Sequence, residues 1–414
     1  VCPPRPEAAR LCRSEFSVKT LIPEIVTKRF SNMPTDTKAQ GPLRGVKVLE
    51  FVGLGPAPFC AMLLSDLGAE VIRIDRPHAG GGGPAEILAR GRRSAAFNLK
   101  SPDAVKACLK LIKNADIILE GYRPGVMERL GLGPEEALKA NPALVYGRMT
   151  GWGQHGPLAH AAGHDLNYIA LTGALDAIGP KDKPVPPVNV VGDFGGGSMY
   201  LAVGVLSALH HARATGEGQV VDAAIVDGAA HLMGAVHQLD AMGLWNQPRG
   251  ENLLDGGAPF YDVYPCADGA FVSIGALEAE FFQLLIDKLD LSDHPAMQAQ
   301  YDAKTWPAMR QVFEETFKAE PQSHWTALLD GTDCCFAPVL DTGHATEHPH
   351  MKARGVFVEV EGVRQAAPAP RFSRTPGAIQ GAAPKPGEHT EDILRDWGFS
   401  DAEIGTLKNA GGLG

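Results

Sequence analysis

Apolar positions in the first third of the chain fall into short continuous runs separated by glycine turns. Gly45–Val52 is an apolar run of the length of a strand buried on both faces, and Ala69–Asp75 is a second. Between them, Gly53-Leu-Gly55-Pro56-Ala-Pro58 forms a turn, and Phe59–Leu67 carries helical periodicity that stops at Gly68. Strand, glycine turn, helix and strand make one βαβ unit, so the pattern predicts an α/β protein with a doubly wound parallel sheet. The pattern then repeats. Ser101-Pro-Asp103 caps a helix running through Ile112, and Ala115–Glu120 and Leu144–Met149 are further strands. A helix over Gly197–Ala214, a strand over Gln219–Ala224 and a long apolar helix over Asp227–Leu244 follow.

From Arg249–Gly257 onward the pattern changes, which places the start of a second, smaller α+β domain there. Tyr261–Cys266 and Ala270–Ile274 alternate like strands, while Ala279–Leu289, Trp306–Phe317 and Ser323–Leu329 have helical spacing. Beyond Phe336 the chain reads as irregular, with a linker over Thr375–Gly387 and a short capped helix, Glu391–Trp397, packed back onto the first domain. The expected organisation is a large domain over 41–225 and 367–414, a linker helix over 226–252, a small domain over 253–336 and a return linker over 337–366. Residues 1–40, mixing Pro, Arg and Glu, are expected to be a leader or disordered extension.

The 414 residues are too many for one ordinary core, and 44% apolar with 21% charged is a globular composition. A formal charge of −10 argues against general nucleic-acid binding. No apolar run reaches the length of a membrane span; the longest, around Met199–Leu209, fits a buried helix. Seven scattered cysteines without CxxC spacing suggest reduced thiols. The expected location is therefore cytoplasmic, with mitochondrion and peroxisome left open.

Candidate chemistry concentrates between Gly163 and Gly197. The stretch opens with Gly163-His164-Asp165-Leu-Asn-Tyr168 and closes with Gly192-Asp193-Phe-Gly-Gly-Gly197, an imidazole and a carboxylate each at a glycine-flanked turn. Two such bases can hold one carbon acid between them. Other motifs carry less. Gly53-x-Gly55 with Asp75 imitates half of a dinucleotide fingerprint, but the third glycine is missing and two prolines remove backbone donors. Arg90–Lys100 is the densest basic stretch, either a solvated strand edge or a phosphate-recognition patch joined by Arg76, Arg123 and Arg129. His344, His348 and His350 lack the context of a metal site.

Several of these stretches carry a resemblance. They include Asp66-Leu-Gly-Ala-Glu-Val-Ile-Arg-Ile-Asp-Arg76-Pro, Glu120-Gly-Tyr-Arg-Pro-Gly-Val126, Arg148-Met-Thr-Gly-Trp-Gly-Gln154, Gly163–Tyr168, Gly192–Gly197, Leu254-Asp-Gly-Gly-Ala-Pro259 and Pro368-Ala-Pro-Arg-Phe372. From Gly41 to about Phe399 the chain resembles the family III CoA-transferase group with the CaiB–BaiF fold, and within it the racemases of 2-methyl-branched acyl-CoA thioesters. The resemblance implies a homodimer of interlocked subunits whose active sites combine the large domain of one with the small domain of the other. It implies His164 and Asp193 as the two bases, supported by Asp165 and Glu278. By position, CoA is expected near Arg76, Phe97, Asn98, Leu99, Lys100, Gly121, Tyr122, Arg123 and Arg129, with Gly163 and Tyr168 lining the site. CoA belongs to the substrate, so no separate cofactor and no metal are expected. The alternative within the same group is a CoA-transferase with Asp165 as nucleophile.

Overall fold

A computed structural model describes residues 41–414; the leader or extension expected over 1–40 lies outside the described residues. Six parallel strands form the main sheet: β1 (Lys47–Phe51), β2 (Glu70–Asp75), β3 (Arg93–Ala96), β4 (Ile117–Glu120), β5 (Val145–Thr150) and β6 (Gln219–Ala224). Their order is 3-2-1-4-5-6, with Val48 of β1 opposite Val71 of β2 on one side and Ile117 of β4 on the other. The strand order reverses between β1 and β4, and loops after the two strands diverge there to leave a crevice. This is the doubly wound α/β sheet that the apolar runs predict.

Helices cover both faces because β1, β2 and β4 bury residues on each side. On one face, α1 (Pro56–Asp66) packs Cys60, Ala61 and Leu64 against Val48, Val71 and Leu119. On the other, α2 (Pro102–Ile112) packs Leu111 and Ile112 with Leu49, Ile72 and Ile118. That second face is completed by the chain's last two helices, Thr390–Asp396 and Asp401–Asn409, which contribute Ile393, Leu394, Trp397, Ile404 and Leu407. The final helix, capped reciprocally by Ser400 and Glu403, adds an element to the single terminal helix expected from periodicity.

A smaller core gathers Phe260, Tyr264, Phe282, Phe313, Phe317 and Trp325 around an antiparallel sheet. Its strands are β7 (Tyr261–Pro265), β8 (Phe271–Gly275) and β9 (Phe336–Val339), in the order 7-8-9. β9 lies where an irregular segment is expected, and an edge position explains how a strand tolerates Pro338. The following segment, expected as a return linker, holds two short helices (Thr342–Glu347 and Pro349–Arg354) and a hairpin of β10 (Phe357–Val360) and β11 (Val363–Ala366).

Four further expectations are corrected. The helix α3 spans Asp165–Leu171 and starts directly after His164, so most of the stretch that opens as a glycine-flanked turn is helical. The helix expected from Gly197 begins at Val190: residues Val190–Met199 wind in wide π-helical turns, with the Phe194 N–H reaching the Asn189 carbonyl, and continue without a break as α4 (Tyr200–Thr215). Together they make one helix of 26 residues, long and apolar enough by length and composition to cross a membrane, although Leu201, Val205 and Leu209 bury one side of it on the sheet. The long helix expected over Asp227–Leu244 breaks at Met233 into α5 (Ile225–Leu232) and a second helix, Gly234–Ala241, because Met233 has ψ of 4°. Finally, Thr375–Gly387 is anchored throughout: the Ala378 N–H donates to the Asp66 carbonyl, Gln380 bonds the backbone of Ser65 and Ala69, and the Gly387 N–H donates to Ser94.

Candidate active site

The carboxyl ends of β1, β2, β4 and β5 each release a loop into the crevice at the reversal of strand order. A cleft of about 970 Å³ results, walled by Gly53–Pro56 after β1, Asp75 and Arg76 at the end of β2, Gly121–Pro124 after β4 and Thr150–Trp152 after β5. Gly163, His164, Asn167, Tyr168 and Asp193 contribute a further wall.

Each piece is set by a local contact. Glu120, at the end of β4, accepts the Tyr122 N–H at 2.8 Å and the Arg148 Nε at 2.8 Å, which shapes the Gly121 turn. Burial pushes the Glu120 carboxyl up, and those two hydrogen bonds oppose it. The Tyr168 ring packs edge-on to Trp152 with centroids 4.7 Å apart, and its hydroxyl donates to the Gly163 carbonyl. Side chains at two nearby positions would collide with that ring: a Cβ on Gly151 would lie 1.9 Å from it, and one on Gly163 would lie 2.8 Å from it. The glycines flanking this segment therefore make room for an aromatic wall.

His164 caps α3, with its N–H donating to Asn167 Oδ1 at 3.0 Å, and its side chain is exposed to the cleft. Asp193 sits in the wide-turn helix instead of in a turn before a helix. Its carboxylate lies against the β1 loop, where a Cβ on Gly55 would stand 3.5 Å from Oδ2. Ser198 fastens the same helix by donating to the Pro56 carbonyl at 2.7 Å and the Asp193 carbonyl at 3.1 Å. Burial is the main force raising the Asp193 carboxyl above the ordinary carboxylate range, and the Asp165 charge adds to it. A hydrogen bond from Asn189 and the positive charge of His164 act in the opposite direction.

The cleft thus brings together His164, Asp193, Arg76, Gly121, Tyr122, Arg123, Gly163 and Tyr168. Asp165 lies just behind, buried, with Oδ1 accepting the Asp193 N–H at 2.6 Å. Other candidates sit elsewhere. Phe97 is 1% exposed in the core, Asn98 bonds the backbone of Gly411 and Gly412, Leu99 packs against the same core, and Lys100 is exposed beyond them. Arg129 is exposed beside Gly125 and outside the cleft wall. Glu278 caps the helix Ala279–Lys288 in the small unit; burial first and the Glu278 charge second push the Cys335 thiol up.

Within the basic stretch, two of the arginines face inward. Arg90 is buried against Asp66 at 2.5 Å and Arg92 against Glu50 at 3.0 Å, so both guanidinium groups are spent inside the fold. Residues absent from the sequence-derived set also matter. Asn189 hydrogen-bonds Asp193, and Trp152 walls the cleft. The Thr-Gly-Trp-Gly turn signals the second; only its place four residues before Asp193, one helical turn away, signals the first. Among the described residues, no three His, Cys, Asp or Glu side chains gather as a metal site.

A sequence profile of CoA-transferase family III matches residues 43–390. The chain is 44% identical over 366 residues to alpha-methylacyl-CoA racemase of Mus musculus, covering 87% of this chain and 95% of that one. It is also 44% identical to the Homo sapiens protein of the same name, covering 89% and 96%. Among solved structures, a CAIB/BAIF family protein from Brucella suis superposes with a TM-score of 0.74 at 24% identity, covering 86% of this chain and all of that one.

Proposed function

The chain belongs to CoA-transferase family III, and from that premise we propose that it is an isomerase interconverting the (R) and (S) epimers of 2-methyl-branched acyl-CoA thioesters. The observation that carries this reading is the pairing of His164 and Asp193 on one cleft, close enough for the imidazole charge to act on the carboxyl.

The α-proton of a thioester is weakly acidic, so its removal needs a base on one face and stabilisation of the enolate. Neutral His164 takes the proton from the (S) epimer while the protonated Asp193 delivers its own to the opposite face. The reverse direction starts from Asp193 as carboxylate and His164 as imidazolium. The pair carries one transferable proton in all. The burial that raises the Asp193 carboxyl favours its protonated form, the form an acid in this role requires. The Asp165 N–H, at the first position of α3, is a first-turn helix donor of the kind that could receive the thioester oxygen as charge builds there. Arg76 and Arg123 at the rim supply the positive charge that a CoA phosphate needs, and Gly121 and Tyr122 supply backbone between them.

The assembly proposed is a homodimer in which Glu278 of one subunit supports the site of the other. Glu278 lies apart from the cleft of its own chain, and Leu171, Val188, Met199, Val203 and Leu232 leave an apolar surface exposed.

Deuterium incorporation at the α-carbon of each epimer in heavy water tests the reaction. His164→Ala removes exchange from the (S) epimer and Asp193→Ala from the (R) epimer; unchanged exchange in either variant removes that residue from the pair. Mixing refolded His164→Ala and Glu278→Ala chains restores part of the exchange only where sites are shared between subunits.

A further inference from the structure

The aspartate that follows His164 has no proton to move in this reaction, yet it is 8% exposed and tightly engaged. Its Oδ1 accepts the backbone N–H of Asp193 across 28 residues of chain. The approach is close enough to exclude any side chain: a Cβ on Gly192 would stand 2.3 Å from that oxygen and 2.9 Å from Ile169. Resting on the racemase reading above, we propose that Asp165 is a positioning residue that clamps the peptide of Asp193 to the start of α3 and so sets the separation of the two bases. His164 and Asp165 are neighbours in the chain, and Asp165 is bonded to the peptide of Asp193 itself. One carboxylate therefore ties both bases to a common point.

The same geometry engages one of the two oxygens that a nucleophilic Asp165 would offer. That oxygen belongs to a buried residue and already holds a charge-assisted hydrogen bond. It also has an electrostatic effect on Asp193, adding to burial in keeping that carboxyl protonated to higher pH. The opposing influences are the Asn189 amide and His164; Tyr168 also faces Asp193, its phenol raised first by burial and then by that carboxylate, whereas Asp227 and His231 on the packed helix α5 are exposed and do not count among the charges acting on Asp193.

Two variants of the full chain separate these effects. Asp165→Asn keeps an acceptor oxygen and removes the charge; Asp165→Ala removes both. Carbon-13 NMR of the Asp193 carboxyl and hydrogen exchange of its amide need no substrate. Asp165→Asn keeps the amide protected and shifts the Asp193 titration to lower pH, with α-proton exchange within about tenfold of the parent. Asp165→Ala exposes the amide and lowers exchange from both epimers about 100-fold, the scale of a displacement near 1 Å. The proposal fails if folded Asp165→Ala protects the Asp193 amide as the parent does. It also fails if Asp165→Asn leaves the Asp193 titration unmoved, or if hydroxylamine traps an acyl adduct on Asp165 during turnover. A parent protein that exchanges no α-proton overturns the racemase reading alone, since amide protection and titration still judge the clamp.

Discussion

At the scale of single residues, burial favours the protonated form of Asp193. Asp193 gains no stability from ionising in the fold: burial and the Asp165 charge favour its protonated form, and the Asn189 and His164 contributions only partly offset them. The native state therefore binds more protons than the unfolded state between the ordinary aspartate range and the raised value. Stability contributed by this group is present at low pH and is lost as pH rises through that window. Asp193→Asn is accordingly expected to raise the melting temperature at neutral pH, by an amount limited by the solvent that still screens a half-buried group. The gain shrinks toward zero as pH is lowered into the ordinary aspartate range, and thermal unfolding across pH reads it; a fall in melting temperature at neutral pH would count against the assignment. His164 and Asp193 are both visible in the sequence because glycine turns isolate them. Asn189 is not, since its role depends on a helical turn that periodicity alone starts seven residues too late.

The largest difference between pattern and structure at the level of elements is that wide-turn helix. Gly192 and Gly195–Gly196 read as a turn ahead of a helix starting at Gly197, because glycine weakens an ordinary helix. In the fold they are the means of packing helices backbone to backbone. A Cβ on Gly196 would stand 2.7 Å from the Ala229 N, and one on Gly228 would stand 1.8 Å from the Gly196 carbonyl oxygen. Wide helical turns of this kind recur at functional sites, where they re-aim a side chain that regular winding would misplace. Here the turns direct Asp193 toward the β1 loop. Gly228→Ala inserts a methyl group with no room to enter, so a destabilisation of about 3 kcal/mol is expected, at the upper end for overpacking. Chemical denaturation measures it, and α-proton exchange should fall with it because α5 supports the helix carrying Asp193. An alanine variant as stable as the parent would mean that the two helices separate more easily than their contact suggests.

At the scale of the whole molecule, what the sequence conceals is how its end is tied to its beginning. Fully buried parallel strands such as β1 and β4 announce themselves as unbroken apolar runs. β3 does not, since Arg93 and Ser94 interrupt it, and the arginines before it read as solvent-facing. In the fold Arg90 lies 4% exposed between Asp66 at the end of α1 and the return of the chain, donating to Gln365 Oε1 at 2.7 Å and to the Ala366 carbonyl at 2.8 Å. The segment beyond it is laid on the sheet by Ala378, Gln380 and Gly387 and ends in the helices that complete the second face. A single guanidinium thus joins the N-terminal sheet to the C-terminal third of the chain. Removing it leaves the Asp66 charge buried without its partner, which costs about 3–5 kcal/mol, whereas exchanging both partners for uncharged residues of similar volume is close to neutral. Arg90→Ala is therefore expected to lower the urea midpoint strongly and to open residues 367–390 to limited proteolysis. Arg90→Met combined with Asp66→Asn should recover most of the loss. Were the single and double variants equally destabilised, the shape of Arg90 and not its charge would be what holds the two ends of the chain together.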